Sequence, residues 1–209
     1  MKEYPKIQTV FKRDMSNKGK IIEGNYSLPE FDYLKDNEWL WTEKVDGTNI
    51  RVNWTRGSCR LFGGKTDNAQ IPARLISRLE ELFPLEKLDA AITKTDSLTL
   101  YGEGYGAKIQ KGGGNYISDG VDFVLFDVLV DGWWLRREDM LEVAEVLGLR
   151  IVPKVGSGDL MEAILRTKAG IKSVWGDFPA EGLVMKPACE LKTRRGDRII
   201  TKIKHKDFI

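Results

Sequence analysis

The sequence predicts an α+β fold with mainly antiparallel sheets flanked by helices. Three observations predict it. Several short runs rich in Val, Ile, Leu and Phe are separated by turn residues, the clearest of them alternates with a period of two, and helical spacing is confined to a few scattered segments. With 209 residues, 42% hydrophobic and 10% aromatic, the chain can bury a proper core. No internal repeat, low-complexity tract or Pro/Ser-rich linker divides it, so one compact domain over residues 1–209 is expected.

In chain order, Thr48 to Arg56 places Ile50, Val52 and Trp54 on one face, and the pattern resumes over Cys59 to Gly63 after Arg56-Gly57-Ser58, which reads as a hairpin. Pro72 to Phe83 has helical spacing, with Leu75, Ile76, Leu79 and Leu82 on one side and Pro72 suited to the first turn. Strands are expected at Leu98 to Glu103 and Val121 to Val130, then a helix from about Glu138 to Leu147 that stops at Gly148. Asp159 followed by Glu162 resembles an N-cap box opening a helix that ends near Gly170. Glu181 to Lys186 and Ile199 to His205 complete the strands.

The total charge excludes a global field, since 33 basic residues face 31 acidic ones for a net +2. The distribution is less even. Lys186 to Lys206 carries eight basic residues against Glu190 and Asp197, which fits either a polyanion-binding face or a solvated hairpin. The apolar runs Phe123 to Phe126 and Val128 to Val130 are cut by Asp127 and Asp131, far short of a membrane span. No apolar signal core follows the charges of Met1 to Pro5, so a soluble, cytoplasmic protein is expected. Cys59 and Cys189 lack metal-site spacing and read as ordinary buried thiols.

Glu43-Lys44-Val45-Asp46-Gly47-Thr48-Asn49 stands at the mouth of the hairpin, where a lysine can project from a strand end and Gly47 allows the backbone to approach a ligand closely. A lone Lys-x-Asp-Gly arises by chance in about 4 of 100 chains of this size, so its company decides. That company, in order, is Tyr101-Gly102-Glu103-Gly104, Phe123-Val124-Leu125-Phe126-Asp127, Glu181-Gly182-Leu183-Val184-Met185-Lys186 and Ile200-Thr201-Lys202-Ile203-Lys204. Together the five elements resemble the covalent nucleotidyltransferase superfamily of ATP-dependent DNA and RNA ligases and mRNA capping enzymes. The match is best with the RNA ligase family, in its phage and RNA-editing branch. Glu43 before the lysine with Thr48-Asn49 after it, the stretch Gly106 to Gly112, and the turn Gly63-Gly64-Lys65-Thr66-Asp67-Asn68 favour that branch. The resemblance covers about positions 40 to 206.

It implies the nucleotidyltransferase domain of ATP-dependent ligases, ATP as the nucleotide, and Lys44 as the residue that takes AMP. The residue chemistry is compatible. A lysine attacks a phosphorus only as a free amine, which burial or neighbouring cations favour. Lys202 and Lys204, at i and i+2 of a strand and about 6–7 Å apart, can line a triphosphate and act on a third amine. Asp46, Glu103 and Glu181 fit one Mg²⁺ or Mn²⁺ held largely through water. The resemblance also assigns Glu103 to the ribose hydroxyls, places adenine between Phe126 and Val184, and gives Glu43 the base and Asn49 the phosphates. Lys65 and Lys186 join the nucleotide-binding set. RNA ends, as single strands, nicked duplex or RNA/DNA hybrid, are the implied partners, in a bacterial cell or phage-infected host.

Read singly, each residue has a plainer reading: Lys44 a solvent lysine, Asp46-Gly47 a turn, Phe126 and Val184 core, Lys202 and Lys204 a solvated strand face. Trp133-Trp134 reads as turn packing, His205 as a surface or substrate-edge residue, and Gly112-Gly113-Gly114 as a flexible turn without the ending of a P-loop. The chain departs from its relatives at Lys65, where they commonly carry arginine, and in having only five residues after Lys204 where many continue into an OB-fold. No C-terminal OB-fold is therefore expected, and substrate grip falls to the catalytic domain or a helper protein. The competing readings are a small DNA or mixed-substrate nick-sealing ligase, a capping guanylyltransferase, and a noncatalytic nucleotide or RNA sensor.

Overall fold

A computed structural model describes all residues from Met1 to Ile209. Two compact units emerge, one of Met1–Tyr4 with Asp46–Val152 and one of Pro5–Val45 with Pro153–Ile209. The chain first lays down β1 (Gln8–Thr9), β2 (Phe11–Asp14), β3 (Lys20–Tyr26), α1 (Pro29–Tyr33) and β4 (Trp39–Glu43) of the second unit. The first unit follows with β5 (Thr48–Thr55), β6 (Cys59–Gly63), α2 (Ala73–Leu82), α3 (Leu85–Ala91), β7 (Ser97–Gly106), β8 (Val121–Val130), β9 (Trp133–Trp134), α4 (Arg137–Leu147) and β10 (Arg150–Ile151). β11 (Lys154–Gly158), α5 (Leu160–Ala169), β12 (Gly182–Pro187) and β13 (Thr201–Lys204) then complete the second.

The first unit is a sheet in the order β10-β8-β7-β5-β6, with β9 beside β8, antiparallel except for β10 against β8. One face carries Ile50, Val52 and Trp54, as alternation predicts, packed in one core with Leu75 and Leu79 of α2, Leu88 of α3 and Met140 and Ala144 of α4. Pro72 caps α2 from outside rather than opening it, and Ile76 is 36% exposed rather than on the buried stripe. α4 ends on Gly148 in the left-handed conformation at φ 63°, where glycine carries no side-chain penalty.

The second unit has a sheet in the order β1-β13-β12-β4-β11, with only β1 parallel to its neighbour, and a separate β2–β3 hairpin. Trp39 and Trp41 of β4, Leu183 and Met185 of β12 and Ile203 of β13 face a core closed by Leu160, Ala163 and Ile164 of α5. The N-cap forms as expected, Glu162 N donating to Asp159 Oδ1 at 2.7 Å. No helix is long and apolar enough to cross a membrane.

The expectations for the two cysteines and for the glycine run are corrected. Cys189 is exposed and Cys59 half-buried, because one lies in the turn-rich segment after β12 and the other opens an edge strand. Gly112-Gly113-Gly114 is not a loose turn: Gly113 is buried, and a Cβ there would stand 1.9 Å from the Gly106 carbonyl oxygen. His205 is half-buried, with Nδ1 3.0 Å from the Thr167 carbonyl oxygen of α5. Trp133 is 72% exposed, whereas Trp134 packs on the rings of Tyr4 and Tyr101.

Candidate active site

In the second unit, three neighbouring strand ends bring Lys44, Glu181 and Lys204 together. The peptide before β12 is held from both sides: Lys44 N donates to the Gly182 carbonyl at 2.9 Å and His205 N to the Glu181 carbonyl at 3.0 Å. Gly182 permits this, since a Cβ there would lie 2.1 Å from the Ile203 carbonyl oxygen. Lys44 Nζ donates to Glu181 Oε2 at 2.6 Å, and Lys204 Nζ stands 2.5 Å from Glu181 Oε1. Burial alone would raise the Glu181 carboxyl. The charge of Lys44 and the hydrogen bonds from Lys204 and Lys44 outweigh it and hold the group below its ordinary value.

The register sorts the remaining residues of this unit by face. Val184 pairs with Lys202 on one side and Thr42 on the other, Gly182 with Lys204, and Lys186 with Leu40. Residues directly opposite in an antiparallel ladder share a face, so Val184, Lys186, Lys202 and Lys204 line one surface. Glu43 is not on it. It pairs with Leu183 on the core face, is 1% exposed, and accepts hydrogen bonds from Ser173 Oγ at 2.6 Å and Val174 N at 3.0 Å. These two bonds tie it to the segment after α5.

In the first unit, β5 and β7 set Asn49 opposite Glu103 on the face away from the core. Gly47 brings Asp46 beside them. A Cβ on Gly47 would meet the Gly104 carbonyl oxygen at 2.2 Å and Glu103 Cγ at 2.8 Å, so this glycine permits a close approach to β7. Asp46 N donates to Tyr116 Oη at 3.2 Å. Asn49 Oδ1 is buried without a hydrogen-bond partner, an arrangement that suits a polar ligand group. Phe126 occupies the irregularity where β8 slips against β7 between Tyr101 and Gly102, half-buried and edge-on to Tyr4. Lys65 is exposed in a turn that Arg51 secures by donating to the Gly64 carbonyl at 2.7 Å and Asp67 Oδ1 at 2.9 Å.

Arg51 is therefore a buried polar anchor that sequence reasoning passed over. The available signal was a charge between Ile50 and Val52, which reads equally well as a solvent-facing position. No three His, Cys, Asp or Glu side chains are gathered closely enough to hold a metal directly. Asp46 and Glu103, which share Gly47 as neighbour, fit an ion bound through water and phosphate oxygens rather than in a carboxylate cage.

The model of the RNA ligase family matches residues 37–204, which include every lysine and carboxylate just described. The chain belongs to the RNA ligase family. The RNA ligase of Naegleria gruberi has the same fold. Its structure with PPi superposes with a TM-score of 0.67 at 20% identity, and a mutant structure with ATP and Mn gives 0.67 at 18%. Each alignment covers 99% of this chain and 58% of the other, so the chain spans less than two thirds of the length of those relatives. No curated protein sequence matches it.

Proposed function

We propose that this protein is an ATP-dependent RNA ligase that joins 3′-hydroxyl and 5′-phosphate ends, with residues 1–209 acting as a minimal adenylyltransferase domain. The observation that carries the reading is the Lys44–Glu181–Lys204 cluster inside the region matched by the RNA ligase family. Before it reacts, Lys44 must give up both a proton and its contact with Glu181. Its Nζ lone pair then forms a P–N bond to the α-phosphorus of ATP, the bond from that phosphorus to the bridging oxygen breaks, and pyrophosphate leaves. A 5′-phosphate oxygen of RNA displaces the lysine from the adenylyl phosphorus. Finally the 3′-hydroxyl attacks the activated 5′-phosphorus, loses its proton and expels AMP.

Lys202 and Lys204 offset phosphate charge on the face they share with Val184 and Lys186. Phe126 and Val184 offer apolar contacts for adenine, Asn49 and Glu103 polar contacts for phosphate or ribose, and Lys65 a further cation. A divalent ion near Asp46, Glu103 or Glu181, Mg²⁺ or Mn²⁺, supplies charge compensation on the phosphates when bound. Structures of the Naegleria ligase with ATP and Mn, and with AMP and Mn, support this choice of ligands. A nicked duplex or RNA/DNA hybrid and a helper protein fit the same reading, in the cytoplasm.

The test is denaturing intact-mass analysis after removal of attached nucleotide and incubation with Mg²⁺ and ATP, GTP or NAD⁺ separately. An AMP-sized adduct from ATP that disappears in Lys44→Ala is expected. Folded, initially unmodified protein that takes no adduct from any nucleotide would sink the ligase reading.

A further inference from the structure

Met1–Tyr4 belongs to the same unit as the β5–β7–β8 face that carries Asn49, Glu103 and Phe126. It is fastened there at successive points. Arg51 Nη1 donates to the Met1 carbonyl at 3.0 Å, Tyr101 Oη to the Lys2 carbonyl at 3.0 Å, and Tyr4 Oη to Asp127 Oδ2 at 2.6 Å. All three anchors, Arg51, Tyr101 and Asp127, are buried. The ring of Tyr4 is thereby presented edge-on to Phe126, with centroids 5.0 Å apart and planes at 72°, while Tyr101 and Trp134 pack at 5.2 and 5.5 Å. Phe126 needs such a support. It falls in the register slip of β8, so no directly opposite residue of β7 sets its ring, and it is only half-buried.

We infer that Tyr4 is a positioning residue for the nucleotide base: clamped by Asp127, it fixes the Phe126 ring in the orientation that receives adenine. The inference rests on the ligase reading for the identity of the ligand and for its contact with Phe126; the packing of Tyr4 on Phe126 stands without it. Tyr4 acts through Phe126, so the two side chains should not contribute independently to binding.

The experiment measures ATP affinity by calorimetry in the presence of Mg²⁺, with every variant built on Lys44→Ala so that no transfer competes. Tyr4→Ala is expected to raise Kd about threefold to tenfold, the scale of one lost aromatic contact. Phe126→Ala should weaken binding at least as much, and adding Tyr4→Ala to it should change little further. Tyr4→Phe should lie nearer the parent, since it keeps the ring and loses only the bond to Asp127. Thermal melting monitors folding, and Tyr4→Leu, which keeps apolar bulk without an aromatic edge, takes the place of Tyr4→Ala if that variant does not fold. Unchanged affinity without the Tyr4 ring, or effects of Tyr4→Ala and Phe126→Ala that multiply, would overturn the inference. If the Lys44→Ala parent binds ATP but the Lys44 protein forms no adduct, the ligase reading fails while the comparison of Kd values still decides the role of Tyr4. Absence of ATP binding to both overturns both.

Discussion

Glu181 accepts from two amines at once, and this makes its protonation a stability switch. Its folded-state carboxyl lies below the ordinary value of 4.5, so the cluster contributes in full above that pH and is lost as pH falls through the lower, folded value. Wild type should therefore lose thermal stability on acidification below about pH 4.5 more steeply than Glu181→Gln, whose amide does not titrate there. Parallel melting curves across that range would remove the charge argument. The contrast with Glu43 shows what adjacency in sequence conceals. Glu43 and Lys44 look like one motif, yet side chains alternate along a strand, and the register turns Glu43 to Ser173 in the core while Lys44 meets Glu181.

At the scale of elements, Gly47 determines how near β5 and Asp46 come to β7. Gly47→Ala would place a methyl group against the Gly104 carbonyl and Glu103. The expected cost is about 1–3 kcal/mol, the usual penalty of overpacking, read as a lower urea midpoint with unchanged slope. Adduct formation on Lys44 should fall with it; a variant as stable and active as wild type would show that the approach has slack. β5, β6 and β8 were legible because alternation and turn residues are local, and so was α5, whose Asp159 cap forms its bond to Glu162. β1 and β10 were not. Each has two residues and exists through pairing with a strand distant in sequence, β13 or β8, so no periodicity of its own announces it.

For the molecule as a whole, a net charge of +2 understates the electrostatics because the cations are gathered. Lys186 and Lys202 lie on one sheet face of the second unit, and Arg194, Arg195 and Lys206 are exposed in the same unit. If about four cations contact phosphates, the affinity for a single-stranded, 5′-phosphorylated RNA should fall with a log–log salt slope of about −3, measured by fluorescence anisotropy. A slope near zero would show that this surface does not grip the RNA backbone.

By itself the sequence determined the reactive groups, the order of the motifs, the family they resemble and the longer strands and helices, because residue chemistry and hydrophobic period are local properties. Tertiary structure alone decided that Glu181 joins Lys44 to Lys204, that Glu43 turns inward, and that Tyr4 and Arg51 belong to the face bearing Phe126 and Asn49. Those outcomes depend on which distant strands pair and in what register. Packing of the core face of each sheet chooses that register, and no short window of sequence contains it.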